Sequence, residues 1–122
     1  MTDPVNREKN IYDVLHRLGV TANYKGFFQL AFAVQLCVEN PERLHLVTKL
    51  VYPDVAKRYC TSWKAVERNI RTVSRVAWNE GRPLLDQMAG RSLTCQPSTA
   101  RLLAILSYDL FPAVHSSLVK MR

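Results

Sequence analysis

A chain of 122 residues with a net charge of +7 and about half its residues apolar describes one basic domain that can bury a core without staples. That composition excludes wholesale disorder, and apolar runs of only a few residues exclude a membrane span, which needs ~20. Cys37, Cys60 and Cys95 are widely spaced and never form a Cys-x-x-Cys pair, so buried or idle thiols are expected rather than a disulfide framework or a zinc knuckle.

The start, Met1-Thr2-Asp3-Pro4, lacks a basic-then-apolar signal pattern, and the cytoplasm is the expected compartment. The first predicted helix carries Ile11, Val14, Leu15 and Leu18 as one apolar stripe, with Gly19 where a C-terminal cap belongs. A second is expected from about Tyr24 to Glu39, with Phe27, Phe28, Ala31, Val34 and Val38 on its inner side. Asn40 and Pro41 read as N-cap and first position of a third, running through Leu44, Val47 and Val51. Pro53 disfavours helical geometry at Tyr52, so a break belongs there, followed by a short helix from Pro53-Asp54 to near Tyr59. Cys60-Thr61-Ser62 offers two N-caps to a long helix from about Trp63 to Asn79, closed by Gly81. Arg82-Pro83 opens another through Leu84, Leu85 and Met88, stopped at Gly90. After loop-like composition from Arg91 to Pro97, Ser98 can cap a last helix carrying Leu102, Leu103, Ile105, Leu106 and Leu110 and ending at Pro112. Nothing alternates as a strand. The expected fold is all-α, a single compact bundle of about six helices over 1–122, with 113–122 read as a disordered tail.

The long helix has two rails. Val66, Ile70, Val73 and Ala77 recur at intervals of four, three and four; Lys64, Arg68, Arg71 and Arg75 repeat the intervals two residues out of step. Two residues of α-helix turn about 200°, so burying the first rail exposes the second on the opposite side. Charge follows the same geography. Residues 57–82 hold seven basic and two acidic side chains, a net of +5, whereas residues 1–56 are neutral. A concentrated basic face suits a polyanion.

The preceding residues complete a helix-turn-helix over about 53–81. Val55, Ala56 and Tyr59 provide packing, a small crossing contact and packing again; Cys60-Thr61-Ser62 makes the turn, and Val66 and Ile70 meet the first helix from the other side. Its outward positions are Ser62, Trp63, Lys64, Glu67, Arg68 and Arg71, where side chains can reach base edges in the major groove. Arginine can pair bidentately with guanine, and glutamate can accept from cytosine N4. Asn69 stands near a position that is usually apolar, where neighbouring Ile70 can serve instead, and the turn lacks the frequent glycine.

Several segments resemble the C-terminal effector domains of the stage zero sporulation protein A family. Tyr52-Pro53-Asp54-Val55-Ala56-Lys57-Arg58-Tyr59 is similar to the family's YPDIAKKF run, and Val66-Glu67-Arg68-Asn69-Ile70-Arg71 to its VERAIR helix. Val76-Ala77-Trp78 with Gly81, Leu15-His16-Arg17-Leu18-Gly19-Val20 and Lys25-Gly26-Phe27 extend the likeness to about Ile11–Phe111. The resemblance implies a helical domain that reads short promoter boxes of the TGTCGAA type, often in tandem. By position it implies base reading by Glu67, Arg68 and Arg71, a polar contact at Lys64 and a place near the phosphates for His16. Ser62, Trp63, Lys57 and Arg75 complete the expected groove and backbone contacts. Double-stranded promoter DNA is thus the expected partner, with a second copy on tandem boxes and RNA polymerase as further candidates. Trp63 replaces the family's alanine and Ala65 its arginine, while the last helix follows the pattern only loosely. No receiver domain stands in these residues, which leaves a stand-alone paralogue and a cut domain both open and carries over no phosphorylation control.

Catalysis has little to build on. His16, His45 and His115 are isolated, no phosphate loop or nucleophile elbow is present, and His45 reads as a core-edge residue. No enzyme activity, metal, cofactor or small-molecule substrate is expected. A protein-interaction adaptor is the stronger rival, with the basic face and Trp63 binding an acidic partner, since aromatic and arginine residues anchor such interfaces. RNA binding lacks the aromatic platforms of a sheet.

Overall fold

Helices account for most of the described chain. The computed structural model describes the backbone of residues 4–112 and side chains from Asn10 onward. In order come α1 (Pro4–Arg17), α2 (Lys25–Glu39), a 3-10 helix (Pro41–His45), α3 (Val47–Leu50), α4 (Tyr52–Arg58), α5 (Trp63–Glu80), α6 (Arg82–Ala89) and α7 (Thr99–Leu110). Among the described residues there is no strand, and the six α-helices longer than α3 make the expected all-α bundle.

The punctuation works as expected. Gly19 and Gly90 take the left-handed conformation beyond α1 and α6, at φ of 92° and 78°. Ser62 and Ser98 cap α5 and α7, their hydroxyls accepting from the Ala65 and Arg101 amides at 3.1 and 3.2 Å. At the centre α2 packs against α1, α4, α5 and α7. Leu30, Val34 and Cys37 of α2, the Val66 rail of α5, and Leu102, Leu103 and Leu106 of α7 are fully buried. Burial pushes the Cys37 thiol up to about 12 against the opposing pull of Arg43, so it stays neutral and inert at ordinary pH.

Before α4 is complete, the structure departs from expectation in four places. The third helix divides at Leu46 into the 3-10 helix and α3. Arg43 reaches across this division to the Leu50 carbonyl and to Asp54, 2.6 Å away, so tertiary bonds override a continuous helix. The break before Pro53 falls at Val51, not Tyr52. Tyr52 can begin α4 because its side chain is buried and its hydroxyl bonds Thr99 at the start of α7. Phe28 is 40% exposed instead of facing inward. The buried side of α2 runs through Phe27, Leu30, Ala31, Val34 and Cys37, which leaves Phe28 at the edge, packed edge-on against Tyr12 and Phe27. His45, expected at the core edge, is exposed because the 3-10 turn directs its neighbour Leu44 toward the core instead. The tail 113–122, with His115, lies outside the described residues.

Candidate nucleic-acid interface

Four residues, Tyr59 to Ser62, join α4 to α5, and their hydrogen bonds define the turn. The Thr61 amide donates to the Ala56 carbonyl at 2.9 Å and the Cys60 amide to the Lys57 carbonyl at 3.4 Å. This paired closure of a helix C-terminus is a Schellman motif, which requires a left-handed residue where glycine is favoured. Cys60 takes that place with φ of 53°. Tyr59 packs less deeply than expected: it is 38% exposed, its ring edge-on to Phe32 and its hydroxyl donating to the Phe28 carbonyl at 3.3 Å.

From this turn α5 runs for 18 residues with its rails separated. Val66, Ile70, Val73 and Ala77 have no exposed surface, while Lys64, Arg68, Arg71 and Arg75 are exposed. Three polar attachments hold the helix besides its apolar rail. Ser74 donates to the Pro97 carbonyl at 2.7 Å, Gln96 donates to the Arg71 carbonyl at 3.4 Å, and Asn69 donates to the buried Gln29 of α2 at 3.1 Å. Asn69 thus serves as half of an interhelical polar pair, while neighbouring Ile70 is the buried apolar residue. Gly26 gives α2 its close approach: a methyl group there would stand 2.4 Å from the Asn69 carbonyl oxygen and 2.6 Å from Val73.

Most of the sequence-predicted residues meet on this one helix. Ser62 is the N-cap, its oxygen accepting from Ala65 and its hydroxyl proton left to donate outward. Trp63 follows at 40% exposure, with the Lys64 ammonium 5.8 Å from its ring centre. One turn on, Glu67 accepts from the Arg71 guanidinium at 2.7 Å, the two side chains 30% and 59% exposed. Arg68 and Arg75 extend from the same side. Lys57 is exposed on α4. His16 stands apart on α1, exposed and tilted against Phe27 at 5.1 Å. Beneath the Glu67–Arg71 pair, burial raises the Tyr52 phenol pKa; the Thr99 hydrogen bond and Arg71 oppose the rise, and Glu67 adds to it.

A pair missed in the sequence, Gln29 and Asn69, left a visible signal. Each is a lone polar residue within an apolar stripe, and two such residues on neighbouring helices satisfy one another. Gly26 was legible only as part of a motif, since nothing local says what approaches it.

The described residues contain no group of three or more His, Cys, Asp or Glu that could hold a metal ion, and none of their helices is long and apolar enough to cross a membrane. A family model described as Sporulation initiation factor Spo0A C terminal matches residues 11–110, which takes in every helix from the apolar stripe of α1 to the end of α7.

Proposed function

The chain belongs to the Spo0A C-terminal family of DNA-binding sporulation effector domains, and from that premise we propose that it reads a short promoter box in the major groove through α5. Glu67, Arg68 and Arg71 are the base readers; Ser62, Trp63, Lys64, Lys57, Arg75 and His16 contact the groove or the phosphates. The observation that carries the reading is the exposed cationic rail of α5 set opposite a fully buried one, with Trp63 and Lys64 exposed at its start.

The ion pair between Glu67 and Arg71 does not block it. An exposed i,i+4 pair is worth only about 0.3–0.5 kcal/mol, while a bidentate arginine–guanine contact discriminates by about 1–3 kcal/mol. Giving up the pair costs less than the contact contributes to discrimination. Glu67 meanwhile keeps the Arg71 fork on the reading side before DNA arrives. A second copy on an adjacent box and RNA polymerase remain proposed partners on family grounds.

Titration against a TGTCGAA duplex and a scrambled one, at one fixed salt concentration, tests the reading. Arg68→Ala and Arg71→Ala each lose about 1–3 kcal/mol more on the box than on the scramble. Glu67→Ala binds the scramble slightly more tightly, having removed a charge that repels phosphate, while losing discrimination at one C·G pair. Equal shifts on both duplexes in all three variants would reduce the helix to a charged surface and favour an acidic protein partner.

A further inference from the structure

We infer that Trp63 is a specificity-determining residue that contacts a thymine methyl group in the major groove, one or two base pairs from the one read by Glu67; this rests on the base-reading role proposed for α5. Among the described residues, five large apolar side chains are substantially exposed: Phe28, Leu46, Leu50, Tyr59 and Trp63. Only Trp63 lies on α5, where it occupies the first helical position. Trp63, Glu67 and Arg71 succeed one another at intervals of four, so they form one ridge that turns by only about 40° per step. The indole therefore leads the same row as the two proposed base readers.

The ridge is otherwise charged, which leaves the indole with one suitable counterpart. Edges of base pairs in the major groove present hydrogen-bond donors and acceptors, and the C5 methyl of thymine is the apolar group among them. Four residues advance about 6 Å along a helix, against about 3.4 Å per base pair, so the methyl belongs one or two pairs from the Glu67 contact. Lys64 suits the same site. Its ammonium, 5.8 Å from the indole centre, stands beside an aromatic ring that can face the groove floor while the cation faces the phosphate wall. The Ser62 cap fixes where the helix, and hence the indole, begins.

The test removes the methyl from the DNA and the indole from the protein. The duplex that wins selection from a random pool is resynthesised with each thymine replaced in turn by deoxyuridine, which deletes only the methyl. Wild-type protein should lose about fourfold in affinity at one position, the worth of one buried methyl. Trp63→Ala should bind the parent duplex at least fourfold more weakly and be indifferent to uracil there, and Trp63→Phe should recover part of both effects. Uracil penalties that are the same in wild type and Trp63→Ala at every position overturn the inference. So does a Trp63→Ala loss that is equal on selected and scrambled duplexes, which marks a backbone contact. If selection enriches no duplex at all, base reading by α5 fails and this contact fails with it.

Discussion

Cys60 sits where a side chain is usually unwelcome. At φ of 53° its Cβ crowds the following carbonyl, a conformation that costs an ordinary residue roughly 1–2 kcal/mol relative to right-handed backbone. The two hydrogen bonds of the motif, from Thr61 and Cys60 to Ala56 and Lys57, hold it there, and the exposed thiol has no disulfide partner among the described residues. Two substitutions separate backbone conformation from side-chain chemistry. Cys60→Gly relieves the crowding but loosens the unfolded chain by about 0.4–1 kcal/mol, so the net change should lie between neutral and about 1.6 kcal/mol stabilising. Cys60→Val keeps a similar bulk but branches at Cβ, and should destabilise by about 1–2 kcal/mol. Urea unfolding curves give the order. A valine variant as stable as the glycine variant would show that the turn is not held left-handed in solution.

The helix that follows owes its position to contacts on both sides of its buried rail. Its approach to α2 is the closest constraint, because Gly26 leaves no room for a methyl between the helices. Alanine in place of glycine ordinarily stabilises a helix interior by about 0.5–1 kcal/mol. Here the added carbon would meet the Asn69 backbone at 2.4 and 2.9 Å, and backbone cannot move aside as a flexible side chain can. Overpacking of this kind costs about 1–3 kcal/mol, so Gly26→Ala should lower unfolding stability by about 1–2 kcal/mol instead of raising it. A stabilised variant would mean that α2 and α5 separate freely. The contrast between α5 and the region before α4 shows which features the sequence carries. Opposed rails, the Ser62 cap and the closing Gly81 are local patterns, and α5 lies where they put it. The division at Leu46, the shifted break at Val51 and the exposed Phe28 depend on Arg43 reaching Asp54, on Tyr52 reaching Thr99, and on which side of α2 its neighbours cover. Such long-range partners leave no period in the sequence. At the interface the same division holds: the exposed cations follow from helical spacing, but the Glu67–Arg71 pairing and the Asn69–Gln29 link required side-chain positions.

Across the whole molecule, the charge available to a polyanion is smaller than the +5 carried by residues 57–82. Arg82 is engaged within the fold: its guanidinium donates to the Leu93 carbonyl at 2.6 Å and lies 4.1 Å from the centre of the Trp78 ring. Asp86 completes this latch, accepting from the Leu93 amide at 2.9 Å, with the Arg82 guanidinium 3.8 Å from its carboxylate. Arg58 is likewise drawn over Phe32, at 5.8 Å. Lys57 and Arg75 are exposed, and Arg75 continues the rail of Arg68 and Arg71. Counterion release gives each neutralised phosphate a contribution of about −0.9 to the slope of log affinity against log salt. Lys57→Ala and Arg75→Ala should therefore each flatten that slope by about 0.9, equally on matched and scrambled duplexes. Arg82→Ala removes the same formal charge but should leave the slope unchanged, while lowering unfolding stability by roughly 1–2 kcal/mol through the lost hydrogen bond and ring contact. Binding isotherms for the three variants over a range of salt concentrations, paired with urea melts, distinguish local contact from overall field. A slope flattened as much by Arg82→Ala as by Arg75→Ala would mean that DNA senses the net charge of the domain, and that the rail of α5 confers no special reach to the phosphates.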